Sequence, residues 1–144
     1  MKRGAVLALL TLSSAWSLGQ GPPPPGPEDP FARYLFPPDR ILAHGQEIGL
    51  EDAQKAAIRS EVLKAQPKFV ETQLDLQGEV EKMTRLLQEK PVDEMKVLSQ
   101  VDRILALEKE IKRAQISLLV RIKNVLSAGQ QSKLAGLLRT SSGS

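Results

Sequence analysis

The side chains able to do chemistry here are few. The 144 residues include one His and no Cys. Thiol nucleophiles, disulfides and thiolate metal centres are therefore excluded. His44 stands one helical turn before Glu47, and such a pair could offer two ligands to a metal ion. A tight site takes three or four ligands, and no second imidazole exists to complete one. His44 and Glu47 are thus only weak metal candidates, and no metal site is expected. Met83 and Met95 flank a turn and could present soft thioether sulfurs to copper(I). Met83 also lies on an apolar stripe, where filling a core is its better reading. Gly45 and Gly49 are isolated and form no phosphate-cradling loop. Acidic residues alternate with basic ones at helical spacing, as on a solvated face. Serines and lysines are present, but no neighbour marks one as activated. The expectation is a protein that is not an enzyme and carries no cofactor.

Two similar five-residue signals stand out instead. One reads Leu50-Glu51-Asp52-Ala53-Gln54 and the other Leu126-Ser127-Ala128-Gly129-Gln130. The second is a capping box: the Ser127 hydroxyl can accept from the Gln130 N–H, and the Gln130 side chain can accept from the Ser127 N–H. The first is half made, because Glu51 replaces the short hydroxyl and is a poor N-cap. Its charge, with Asp52, suits the positive end of a helix dipole.

Between these signals lie two long amphipathic patterns. Ile58, Val62, Ala65, Phe69, Gln73, Leu76, Val80, Met83 and Leu87 recur at threes and fours, which predicts a helix over about Glu51–Gln88. Pro67 falls inside it, so a kink or a break at Gln66 is expected. Glu89-Lys90-Pro91 reads as a turn. Val97, Val101, Ile104, Leu107, Ile111, Ala114, Leu118, Ile122 and Val125 form the stripe of a third helix, Val92–Leu126. Similar lengths and a short connection predict an antiparallel pair. Pro37-Pro38 opens a short first helix, about Asp39–Ile48, with Gly49 as its terminator. A short fourth helix begins at the Ser127 cap and carries Leu134, Leu137 and Leu138. The fold class is all-α: a long antiparallel helical hairpin with short flanking helices, expected as a curved dimer.

With this frame, the two signals carry a resemblance. A Leu-Thr-x-x-Gln signature repeated near both ends of a helical hairpin is similar to that of the Spy/CpxP family of periplasmic proteins. Phe36-Pro37-Pro38-Asp39, followed by Gln46-Glu47-Ile48-Gly49-Leu50, resembles that family's lead-in. The resemblance covers roughly residues 36–138. Leu50, Glu51, Gln54, Leu126, Ser127 and Gln130 match the motif positions, with Glu51 and Ser127 where the family has Thr. The family includes ATP-independent chaperones, stress-sensor partners and heavy-metal sensors.

The N-terminus agrees with export. Lys2 and Arg3 precede a short apolar run, and Ser17-Leu18-Gly19 suits a cut after Gly19. The run falls short of the ~20 residues of a spanning helix, so residues 1–19 are expected to be a cleaved signal peptide and the mature chain periplasmic. Of the 20 Lys and Arg, two lie there, and no Asp or Glu does. The remainder holds 18 basic against 17 acidic residues, which offers nucleic acid no global basic footprint. Residues 20–36 join a Pro-rich tether to an aromatic segment, Phe31, Tyr34, Leu35 and Phe36, expected to dock on the helical body. Residues 37–139 form the helical domain, and residues 140–144 are expected to be a disordered tail.

Apolar residues exceed what one seam needs. Leu63, Val70 and Leu74 lie off the stripe of the second helix; Leu98, Leu105, Leu119 and Leu126 form a second line on the third. Cover by the flanking segments, a dimer seam and a client-binding surface are the three explanations, and dimer plus client surface is preferred. Leu63, Val70, Leu74, Leu98 and Leu105 are the client-surface candidates. The resemblance implies an ATP-independent chaperone for unfolded or partly folded envelope proteins. The alternatives are a metal- or stress-sensing regulator that binds an envelope signalling protein, and a plain interaction module.

Overall fold

The computed structural model describes residues 30–141. The expected signal peptide, most of the tether and residues 142–144 lie outside that range. Four helices follow in order: α1, Pro38–Ala43; α2, Asp52–Gln88; α3, Glu94–Val125; and α4, Ala128–Ser141. No strand occurs among the described residues. The fold is all-α, and its main packing contact is between α2 and α3.

At 1.5 Å per residue, the 37 residues of α2 span about 55 Å. The helix is continuous through Pro67, and the break considered at Gln66 does not occur. Pro67 deprives the Leu63 carbonyl of a partner, but both residues are exposed, so water can serve that carbonyl. The start of α3 moves two residues, from Val92 to Glu94, because Asp93 is the cap: its carboxylate accepts from the Lys96 N–H at 3.2 Å.

The first helix is shorter than expected. It ends at Ala43 rather than near Ile48. The chain then turns back on itself: the Leu50 N–H donates to the Gly45 carbonyl at 2.7 Å, and the Ile48 N–H to the His44 carbonyl at 3.1 Å. Gly49 sits at φ 66°, the left-handed region that glycine enters at little cost. The fourth helix is longer than expected. Thr140 and Ser141 belong to it, and their hydroxyls donate back to the Leu137 and Leu138 carbonyls. The expected tail therefore loses its first two residues to α4.

The core sits at one end of the hairpin. Phe36, Ile41, Ile48, Leu50, Ile58, Leu118, Ile122, Leu126 and Leu134 form one buried cluster drawn from all four helices and the connecting turns. Ile41, Ile58, Ile122 and Leu134 have no exposed surface. Beyond Phe69 the hairpin continues as a two-helix arm, with no third layer among the described residues. There Leu76, Met83, Val97, Val101 and Ile104 are only partly buried, and Val80 and Leu87 are exposed. The stripe of α3 also differs by one position: Gln115 is buried at 7% exposure, whereas Ala114 is exposed. Successive spacings of four and then three put Gln115, not Ala114, against α2.

Candidate functional site

The two motif glutamines meet at the base of the hairpin. In the Leu126–Gln130 motif the box is complete. The Gln130 N–H donates to Ser127 Oγ at 3.2 Å, and the Ser127 N–H donates to Gln130 Oε1 at 2.9 Å. In the Leu50–Gln54 motif the glutamine does the corresponding work: the Glu51 N–H donates to Gln54 Oε1 at 3.0 Å. The Glu51 side chain in turn takes up the Gln54 backbone N–H, so both halves of this box form as well, and the expected half-made box is corrected.

The amides then bond each other. Gln54 Nε2 donates to Gln130 Oε1 at 2.8 Å, and Gln130 Nε2 donates to Gln54 Oε1 at 2.9 Å. Each amide spends its second N–H on the backbone, Gln54 on the Val125 carbonyl at 2.9 Å and Gln130 on the Gly49 carbonyl at 3.1 Å. Both side chains use two donors and both acceptor lone pairs, the full capacity of an amide. The result is a clasp. It joins the starts of α2 and α4 to the end of α3 and to the α1–α2 turn. Leu50 and Leu126, the first residues of the two motifs, are buried beside it. Together the six motif residues close the base.

The opposite role falls to the arm. Three contacts set the register of the pair: Gln54 with Val125, Glu61 with Arg121, and Glu79 with Gln100. This register puts Leu74 level with Leu105 and Leu63 level with Ser117. At about 100° per residue, Leu63, Val70 and Leu74 turn to the same side of the hairpin as Leu98 and Leu105. The Glu61–Arg121 and Glu79–Gln100 contacts lie on the other side. Leu63 is 66% exposed, Leu74 55%, Leu98 54% and Leu105 48%, while Val70 is partly buried. Four of the five client-surface candidates are thus open to solvent. Leu119 and Leu126, from the same line as Leu98 and Leu105, are buried, Leu126 within the core at the base. Cover from within the chain accounts for Leu126 there, and among the described residues no flanking segment covers the arm.

Polar residues mark the seam of the arm. Gln100 is 5% exposed, and its amide donates to the Glu79 backbone carbonyl at 2.8 Å and to Glu79 Oε2 at 2.6 Å. Hydrogen bonds from Lys82 and Gln100 hold the Glu79 carboxyl below the usual carboxylate range. Thr72, also buried, returns its hydroxyl to the Lys68 carbonyl. Sequence reading missed these residues. Gln100 and Gln115 sit at helical spacing from apolar stripe residues, and that spacing was the available signal.

These features define an all-α hairpin protein with a clasped base and a bare two-helix arm. A family model described as heavy-metal resistance matches residues 4–133, and the chain belongs to that family, a Spy/CpxP-like family with the Leu-Thr-x-x-Gln motif. Neither a curated protein nor a solved structure matches the chain.

The family's description raises the question of metal. His44 Nδ1 lies 2.7 Å from Glu47 Oε1, so the pair is turned inward on itself. Among the described residues, no group of three or more His, Cys, Asp or Glu side chains could hold an ion. Met83 is partly buried on the seam, whereas Met95 is 83% exposed. The described residues do not fit a tight site. Calorimetry with zinc, nickel or cobalt is expected to give no sub-micromolar binding. Tight binding abolished by His44→Ala would reverse that expectation.

Proposed function

We propose that this chain is an ATP-independent holding chaperone of the periplasm. It keeps unfolded or partly folded envelope proteins on the leucine side of its arm. The observation that carries this reading is the exposure of Leu63, Leu74, Leu98 and Leu105 on one side of the hairpin. Large apolar side chains gathered on one exposed side mark an interaction surface. Membership of a Spy/CpxP-like family supports the same reading, as does the expected export signal. No helix among the described residues is long and apolar enough to cross a membrane. The protein acts by binding rather than by catalysis, without a cofactor and without nucleic acid. A homodimer curved around the client is part of the proposal, since a second copy would lengthen the apolar surface.

The family description favours one alternative. A stress- or metal-responsive regulator would use the same arm to bind an envelope signalling protein. The exposed leucines of the arm support the chaperone reading more directly, so the metal-sensing form is kept as the second reading.

Aggregation suppression by the purified protein separates them. Leu74→Gln and Leu105→Gln together are expected to leave the melting temperature nearly unchanged, because exposed substitutions usually shift stability by less than about 0.5 kcal/mol. The same pair is expected to weaken protection of a chemically unfolded client, with no effect of added ATP. Val70 is unsuited to this test because it is partly buried. Wild-type protein that protects no client would overturn the chaperone reading and leave the regulator.

A further inference from the structure

Charge is divided unevenly along this chain. From Ile111 to Ser144 the sequence holds six basic residues and no acidic one. Residues 20–110 hold the other 12 basic residues and all 17 acidic ones. Such asymmetry points to a charged partner for one part of the molecule. α4 and the second half of α3 supply one side of the base, and the acid-free run is concentrated there; Asp39, Glu47, Glu51 and Asp52 belong to its α1 and α2 side.

Two exposed aromatic residues join it. Phe31 is 53% exposed and Tyr34 60%. The Arg33 guanidinium lies 6.0 Å from the centre of the Tyr34 ring. Lys123 of α3 fixes this segment to the body: its ammonium donates to the Tyr34 carbonyl at 2.7 Å and lies 5.6 Å from the centre of the Phe36 ring. Leu35 and Phe36 are buried, so the segment is docked while Phe31 and Tyr34 point outward. One turn before Lys123, Val120 is 41% exposed, and Arg113 is exposed on the same side of α3.

We propose that this end of the hairpin docks on an anionic phospholipid surface, with Phe31 and Tyr34 at the headgroup level, Arg33 and Arg113 facing lipid phosphates, and Lys123 holding the aromatic segment in place. Tyrosine flanked by basic residues suits the bilayer interface, with its ring apolar and its hydroxyl wet, and phenylalanine adds a wholly apolar ring that sinks below the headgroups. An anionic leaflet repels each carboxylate that faces it, and the α3–α4 side of the base presents none from Ile111 onward. On the leucine side of the arm, Glu81 and Asp102 supply such carboxylates. The inference does not depend on chaperone activity.

Vesicle sedimentation tests it with the exported chain. The protein is expected to pellet with vesicles containing phosphatidylglycerol and not with phosphatidylcholine alone, and the binding is expected to weaken with salt. Each basic residue near an anionic surface is worth about a fivefold change in partitioning. Arg33→Glu and Arg113→Glu should each lower binding by at least that factor, and Phe31→Ser with Tyr34→Ser should lower it further. Arg85→Glu, on the arm, should leave it unchanged. Circular dichroism of each variant keeps loss of fold separate from loss of binding. Equal pelleting with both vesicle types, or patch variants that bind as well as the wild type, would overturn the proposal. So would binding to a soluble acidic polypeptide without binding to phosphatidylglycerol vesicles, which would assign the patch to a protein partner. Loss of client protection in Leu74→Gln/Leu105→Gln with vesicle binding retained would affect only the chaperone reading.

Discussion

Replacing Ile122 with alanine is expected to destabilise the protein by about 2–5 kcal/mol. Ile122 has no exposed surface and belongs to the cluster joining Phe36, Ile41, Ile58, Leu118 and Leu134. Its removal opens a cavity that four helices and two turns would have to collapse around. For a domain of this size that is a loss of roughly 4–8 °C in melting temperature per kcal/mol. Val101→Ala or Ile104→Ala, on the same stripe of α3, should cost much less. Both are only partly buried on the bare arm, so the space vacated is open to water. Thermal melts of the three variants check the ranking. Equal losses at Ile122 and Ile104 would mean that the arm is covered in solution, and a second copy would be the natural cover.

Breaking the clasp is the second large effect. Gln130→Ala removes four hydrogen bonds: from the Ser127 N–H, to the Gly49 carbonyl, and both to and from the Gln54 amide. At about 1 kcal/mol net for each bond, with water replacing some, the loss is expected to be about 2–3 kcal/mol. Gln54→Ala should be similar, because its bonds to the Glu51 N–H and the Val125 carbonyl mirror those of Gln130. The double variant should fall short of the sum by about 1 kcal/mol or more, since neighbours in one network are not additive. Ser127→Ala keeps the glutamine pair and should cost only the ~1 kcal/mol of a lost N-cap hydroxyl. Strict additivity of Gln54→Ala and Gln130→Ala in denaturant melts would show that the amides do not support each other.

The hairpin was legible because both long helices carry apolar residues at threes and fours, a pattern few other structures produce. The Ser127 box was legible because its partners are three residues apart. The clasp was not. Gln54 and Gln130 are separated by 76 positions, and nothing local in either motif says that the two side chains meet. Likewise Glu51 looks like a defect in the sequence, yet its longer side chain still serves the Gln54 N–H and completes the box. Helix ends were read less well where backbone hydrogen bonds decide them. The turn from His44 to Leu50 closes on its own N–H and carbonyl groups, and apolar spacing carries no record of that. The surplus leucines were counted correctly but could not be divided from sequence. Leu126 goes into the base and Leu74 stays out because the flanking segments reach only so far along the hairpin.

The clasp and the core lie entirely at one end, and this separates two properties of the molecule. Everything that closes the base belongs to residues up to Phe69 and from Leu118 onward. The stretch between them is a doubled strut whose length the base does not dictate. Seven residues added to each helix at the same level would keep both stripes nearly in register and extend the strut by about 10 Å. Reach can therefore change by matched insertion while the joint stays as it is, much as a caliper can be fitted with longer jaws on an unaltered hinge.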